Sequence, residues 1–139
     1  MDIIVDANIL FAAVIKDGVT AKLMFVDRLH LYAPELLLDE FNNNRDEILE
    51  KTHRSPENFE FVLSELISII HFIPKSEFQN LIKLADEISP DIDDSVYFAL
   101  ALKAGMPIWS NEGRLKKQSA VRIYSTSDLM HMFSADLEQ

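Results

Sequence analysis

Ile3-Ile4-Val5-Asp6-Ala7-Asn8-Ile9-Leu10-Phe11-Ala12-Ala13-Val14-Ile15 is the stretch on which the fold class turns. Ile3-Ile4-Val5 is a short apolar run rich in β-branched residues, suited to a strand buried on both faces. Ala7 to Ile15 is apolar nearly all round and rich in helix formers, which predicts a buried helix ending near Gly18. The same alternation recurs along the chain. Thr20 is expected to cap a second helix carrying Leu23, Met24, Val26 and Leu29. Leu31-Tyr32-Ala33 reads as a second strand, stopped by Pro34, and the signal from Glu35 to His71 is helical. Within it, Pro34 pre-sets a helix over Glu35–Phe41, and a charged stretch runs from Arg45 to Arg54. Ser55-Pro56 then restarts the chain with an N-cap and Pro at N1. Phe59, Val62, Leu63, Leu66 and Ile69-Ile70 form the apolar face of that helix. Phe72-Ile73-Pro74 is a third strand, and helices are expected over Ser76–Ile88 and from about Ile92 to Lys103, the latter closed by Gly105. Pro107-Ile108-Trp109 and Val121-Arg122-Ile123-Tyr124 are the fourth and fifth strands, and Thr126 is expected to cap a final helix. Short strands alternating with helices imply an α/β domain whose parallel sheet is covered on both faces.

The chain has 139 residues with 23 Asp+Glu against 13 Lys+Arg, a formal net charge of −10. That length and the absence of repeats or linkers predict one domain over residues 1–139. No apolar run approaches the roughly 18 residues of a membrane span, and the acidic amino terminus does not resemble a signal peptide. Cysteine is absent, which excludes disulfide scaffolds, thiolate zinc sites and Cys nucleophiles. A cytoplasmic location away from membranes is the expectation. The acid excess argues against non-specific adhesion to nucleic acid through bulk charge.

Sites in open α/β sheets form outside the carboxyl ends of strands, especially where strand order reverses. Asp6 follows the first strand; Ser110, Asn111 and Glu112 follow the fourth. Helices contribute Glu40, with Asp39 as its alternative, and Asp91, Asp93 and Asp94. Carboxylates sharing a cleft repel one another unless a cation neutralises them. Hard oxygen donors suit Mg²⁺ or Mn²⁺, which would bind and polarise a phosphodiester and activate a water for attack. Ser110 could donate to a phosphate oxygen, and Asn8 could orient the Asp6 carboxylate or a metal-bound water. Each residue also has a structural reading. Asp6 could simply cap the following helix, Glu40 could lie on a solvated face, and Asp91, Asp93 and Asp94 could serve the dipole of a first helical turn. Glu112, in a post-strand position equivalent to that of Asp6, favours the site. Arg114, Lys116 and Lys117 are the densest basic cluster and lie directly after Glu112, either as a solvated face or as phosphate-backbone contacts beside the metal site. His30, His53, His71 and His131 show no metal-ligand spacing.

These motifs resemble the PIN-domain nucleases. Ile3-Ile4-Val5-Asp6-Ala7-Asn8 looks like their opening strand and Asp-X-Asn. Pro34-Glu35-Leu36-Leu37-Leu38-Asp39-Glu40 is similar to their second motif, and Asp91-Ile92-Asp93-Asp94-Ser95-Val96-Tyr97-Phe98-Ala99-Leu100-Ala101 to their third. Ile108-Trp109-Ser110-Asn111-Glu112 sits where the family has Thr/Ser-X-Asp. The resemblance implies a three-layer α/β/α fold with a five-stranded parallel sheet of order 3-2-1-4-5. It implies a Mg²⁺- or Mn²⁺-dependent endoribonuclease, commonly homodimeric, with Asp6, Glu40, Asp94 and Glu112 as metal ligands and catalytic residues. Asn8, Ser110, Asn111, Asp91 and Asp93 would support the metal or phosphate. Many small prokaryotic members are VapC-type toxins silenced by a cognate antitoxin, while others are free-standing. Glu112 departs from the family Asp by one methylene. That departure supports a second reading, a catalytically weak PIN-like binding or assembly module. An aspartyl phosphatase is disfavoured by Asn at position 8, and a receiver domain by the third strand ending in Ile73-Pro74.

Overall fold

Five short strands, β1 (Asp2–Val5), β2 (His30–Pro34), β3 (Ile70–Ile73), β4 (Ile108–Trp109) and β5 (Ile123–Tyr124), form one sheet in the order β3-β2-β1-β4-β5. All neighbouring pairs are parallel, as the sequence predicts. The computed structural model describes residues 1–16 and 18–138. Ile3, Ile4 and Val5 are fully buried at the centre of the sheet. Successive side chains of a strand point to opposite faces. Ile3 and Val5 therefore join one hydrophobic core and Ile4 the other, which divides the molecule into three layers.

On the first face lie α1 (Ala7–Ile15), α2 (Val19–Met24), α3 (Leu36–Asn43), α4 (Arg45–Lys51) and α5 (Pro56–Ser68). Leu10, Leu23, Phe41, Ile48, Phe59 and Leu66 carry this core. On the second face, α6 (Ile82–Ile88) and α7 (Ser95–Ala104) pack Ala85, Phe98 and Leu100 around Ile4. The chain ends with α8 (Thr126–Met132) and α9 (Ser134–Leu137), and Leu129 and Phe133 return to the first core. Among the described residues, no helix is long and apolar enough to cross a membrane.

Local chemistry explains most boundaries. The Ser55 hydroxyl accepts the Asn58 amide at 3.2 Å, and Pro56 opens α5, which needs no donor at that position. Gly105 closes α7 with φ of 67°, and its amide reaches the Ala101 carbonyl at 2.9 Å.

Several boundaries differ from the sequence expectation. Ile70 belongs to β3, paired with Leu31, rather than to the preceding helix. An apolar pair at a helix–strand junction satisfies either pattern, and the parallel ladder takes it. The region 76–88 is not one helix. Two 3-10 turns, Lys75–Glu77 and Gln79–Leu81, flank the fully buried Phe78 before α6 begins, because drawing that ring into the core breaks helical continuity. A 3-10 turn over Ile92–Asp94 likewise precedes α7. Thr20 lies inside α2, whose cap position is Gly18, and the helix stops at Met24, so Val26 and Leu29 are buried from the turn beyond it. Ser125, not Thr126, caps α8, through a reciprocal box with Asp128. The Thr126 hydroxyl instead accepts the Trp109 indole N–H at 3.0 Å.

Gly105 supplies a direct check. A methyl group there would meet no atom within 4 Å, so its penalty is the left-handed backbone alone. Gly105→Ala should lower stability by about 1 kcal/mol in chemical denaturation, with the denaturant slope unchanged.

Candidate active site

β1 and β4 are neighbours although more than a hundred residues separate them in sequence, and the strand order reverses between them. Asp6 leaves β1 and caps α1, with Oδ1 accepting the Ile9 amide at 3.0 Å. The capping reading of Asp6 is therefore realised, and it does not exclude the other. Ser110, which leaves β4, is almost wholly buried and donates its hydroxyl to the Asp6 carboxylate. The same hydroxyl oxygen accepts the Glu112 amide at 3.1 Å, so a single serine ties the two strand ends together.

A cleft of about 300 Å³ opens at this edge. It gathers Asp6, Glu40, Asp91, Asp93, Asp94 and Glu112, together with Asn8, Phe11, Asn44, Tyr97 and Arg114. Asp39 is exposed and does not line it, so the structure brings Glu40 and not its neighbour to the other acids. Glu40 is held from two sides: Tyr97 donates its hydroxyl to Oε1 at 2.8 Å, and the Asn44 amide nitrogen donates to the Glu40 carbonyl at 2.7 Å. The Asp91 carboxylate accepts the Asp93 amide at 3.0 Å with one oxygen and meets Arg114 Nη2 at 2.8 Å with the other. Arg114 Nε also lies 3.2 Å from Glu112.

The remaining expected residues are placed unevenly. Asn8 is exposed on the rim of the cleft. Asn111 is turned away, its side-chain oxygen accepting the Thr126 amide at 2.8 Å at the start of α8. Lys116 reaches Asp128 at 3.1 Å, and Lys117 is exposed outside the cleft. Leu115, buried between them, anchors the Gly113–Lys117 3-10 turn and splits the basic cluster. Only Arg114 of the three faces the acids. Tyr97 and Asn44 do not stand out in the sequence, where Tyr97 is one member of an apolar core run. Their signal is helical spacing: Tyr97 lies one turn beyond Asp94, and Asn44 one turn beyond Glu40.

The charges in the cleft are held against their preference for water. Burial above all raises the Asp6 pKa to about 6, opposed by the Ser110 and Ile9 hydrogen bonds and reinforced by the charges of Asp94 and Glu112. Burial also raises Glu40, opposed by Tyr97 and reinforced by Asp94 and Asp93. Asp94 is raised by burial and then by Asp91, with Arg114 pulling the other way. Tyr97 is pushed well above the ordinary phenol range by burial and by Glu40. Among the described residues, no three acidic or histidine side chains enclose one point as ready-made ligands. The donor chemistry nevertheless fits a hard divalent cation: every candidate ligand is a carboxylate oxygen, and mutual repulsion is the charge imbalance that such an ion relieves.

Asp6 carries a pH signature. Its folded pKa of about 6 lies above the ordinary 3.8, so the folded chain holds the proton more tightly than the unfolded one. The stability this contributes is complete below the unfolded value and is lost as pH rises through about 6. A rise of that size is equivalent to roughly 3 kcal/mol as an upper bound. Asn retains the capping oxygen without the charge. In metal-free thermal melts Asp6→Asn should therefore be more stable than the unsubstituted protein near neutral pH, with the difference closing as the pH falls toward about 4.

The comparisons with known proteins agree with this fold. No curated protein matches the sequence. The chain resembles the crystal structure of PAE2754 from Pyrobaculum aerophilum with a TM-score of 0.70 and 18% identity, over 97% of this chain and 90% of that one. It also resembles a chain of VapBC2 from Rickettsia felis, solved bound to a DNA fragment from their promoter, with a TM-score of 0.63 and 12% identity, over 90% of this chain and 98% of that one. At those identities the likeness is one of fold. The family model described as PIN domain matches residues 4–129, nearly the whole chain, and the chain thus belongs to the PIN-domain family.

Proposed function

We propose that the acidic cleft is the active site of a divalent-cation-dependent endoribonuclease. The observation that carries this reading is the convergence of Asp6, Glu40 and Asp94, from three separate parts of the chain, in one cleft where burial raises all three carboxyls. Such a constellation costs folding energy and would be relieved by a hard cation. Mg²⁺ or Mn²⁺ held there supplies neutralisation of phosphodiester charge and activation of water at neutral pH. Asp6, Glu40 and Asp94 would hold the cation, with Glu112 assisting from the β4 side.

The chain's own groups do the positioning. Ser110 fixes the Asp6 carboxylate by donating to it, and Tyr97 fixes Glu40 by donating to Oε1. Hydrogen bonds of this kind set ligand direction and basicity. Asn8 on the rim and Arg114 at the mouth would meet an incoming phosphodiester. The described residues lining the cleft include no histidine, which suits a mechanism in which activation by the cation replaces a general-base side chain.

The partner is a second part of the proposal. VapBC2, the structural relative from Rickettsia felis, is solved bound to promoter DNA, and the likeness supports reading the chain as the toxin of a toxin–antitoxin pair, with a cognate antitoxin as its partner; a homodimer is the assembly that the family resemblance implies. One observation favours the competing reading of a catalytically weak binding module. Glu112 carries the longer side chain and is paired with Arg114 rather than directed wholly toward the other acids.

Cleavage of single-stranded RNA by the purified protein decides between them. Cleavage should require Mg²⁺ or Mn²⁺, stop with chelator and vanish in Asp6→Asn. Tyr97→Phe, which removes only the donor to Glu40, should fold normally and lose roughly tenfold in rate or metal affinity. If no substrate is cut with either metal, and no metal binds, the binding module is the correct reading.

A further inference from the structure

Arg114 is the one cation among the described residues that line the acidic cleft. Its guanidinium spans the mouth, with Nη2 at 2.8 Å from Asp91 just before α7 and Nε at 3.2 Å from Glu112 just after β4. Its charge also reaches Asp94, opposing the effect of burial there. Half of the Arg114 side chain is exposed, as is 40% of Glu112. Ion pairs in such a setting are weak and exchange readily. A guanidinium presents a planar fork of donors that fits phosphate as well as carboxylate. Lys116, the nearby alternative, is held on Asp128 at 3.1 Å and lies outside the cleft.

We propose that Arg114 is a two-position residue that makes binding of the divalent cation and of RNA cooperative. In the protein alone it ties off Asp91 and Glu112. When their charge is taken up by a cation, the guanidinium is released to a phosphodiester. The converse follows by linkage: a phosphodiester that draws Arg114 away leaves the carboxylates uncompensated and raises their affinity for the cation by the same factor. The inference rests on the cleft being a cation site, and it gives Glu112 a role that Asp would fill less well. One extra methylene lets a single carboxylate serve either Arg114 or the cleft.

The test is a set of calorimetric Mn²⁺ titrations, with and without a saturating, cleavage-resistant phosphorothioate oligoribonucleotide. They are run on the unsubstituted protein, Arg114→Gln, Arg114→Lys and Asp6→Asn. In the unsubstituted protein the oligonucleotide should tighten Mn²⁺ roughly tenfold, and Mn²⁺ should tighten the oligonucleotide equally. Arg114→Gln should bind Mn²⁺ alone more tightly than the unsubstituted protein, since its internal competitor is gone, and the mutual tightening should fall several-fold. Arg114→Lys keeps the charge without the fork and should recover oligonucleotide affinity but not the full coupling. Equal coupling in the unsubstituted protein and Arg114→Gln, or complete recovery by Arg114→Lys, overturns the two-position role. Mn²⁺ binding that is absent, or indifferent to Asp6→Asn, removes the cation site itself, an outcome distinct from Asp6-dependent binding without Arg114-dependent coupling.

Discussion

The hydrogen bond from the Ile9 amide to the Asp6 carboxylate is the constraint around which the site is arranged. It stands where a fully buried central strand becomes a buried helix, so the acid cannot retreat to solvent without undoing the start of α1. Its neighbour across the sheet, Ser110, donates to the same carboxylate and accepts from Glu112. The position of β4 beside β1 is thereby translated into the position of a second acid. A parallel sheet needs both faces covered, and α3 and α7 lie on opposite faces. They bring Glu40 and Asp94 to the same edge from opposite sides, and Tyr97 joins them by reaching Glu40. Two layers of core and one cleft thus follow from one set of packing decisions.

Legibility in the sequence tracks the physical range of the interaction. Ile3-Ile4-Val5, Gly105 and Ser55-Pro56 each act through their own segment, and strand, left-handed cap and helix start appear where local pattern places them. Asp6 and Asp94 are also visible, at a strand end and a helix start, whereas local pattern leaves Glu40 and Asp39 as alternatives and the fold brings Glu40 to the cleft. The features that local pattern misplaces depend on tertiary choice. Ile70 satisfies a helix face and a strand equally, and only pairing with Leu31 decides. Phe78 looks like one member of a helical stripe until its burial requires a break. The basic cluster at 114–117 is a single feature in sequence, yet Leu115 in the core sends Arg114 and Lys116 to different acids. Asn111, adjacent to Ser110 in sequence, serves the backbone of α8 instead of the cleft.

The formal charge of −10 is likewise not one property. Glu47, Glu60 and Asp136 lie in ion pairs on the surface with Lys51, Arg45 and Arg28, where solvent and salt screen most of the interaction. Among the described residues lining the cleft, six acids face one cation, and all of these acids but the exposed Asp93 are partly withdrawn from water, so their repulsion is screened less. Bulk charge therefore says little about affinity for a polyanion. The local balance over this cleft matters, and a bound cation would offset part of its negative charge where a phosphodiester would lie.

A folded protein retains such a costly arrangement only if the surrounding packing over-determines it. That condition is met unevenly across the cleft. Asp6 is fixed by a backbone amide and a buried serine, and Glu40 by Tyr97. These two are rigid members whose direction is set before any ligand arrives. Asp91 keeps one oxygen on the Asp93 amide, but its other oxygen and Glu112 are held by one half-exposed guanidinium, which can leave. Rigid ligands confer geometry, and exchangeable ones confer response. The longer side chain at 112 falls on the exchangeable side of that division, so the departure of Glu112 from the family's Asp is accommodated at the position where reach matters more than fixed direction.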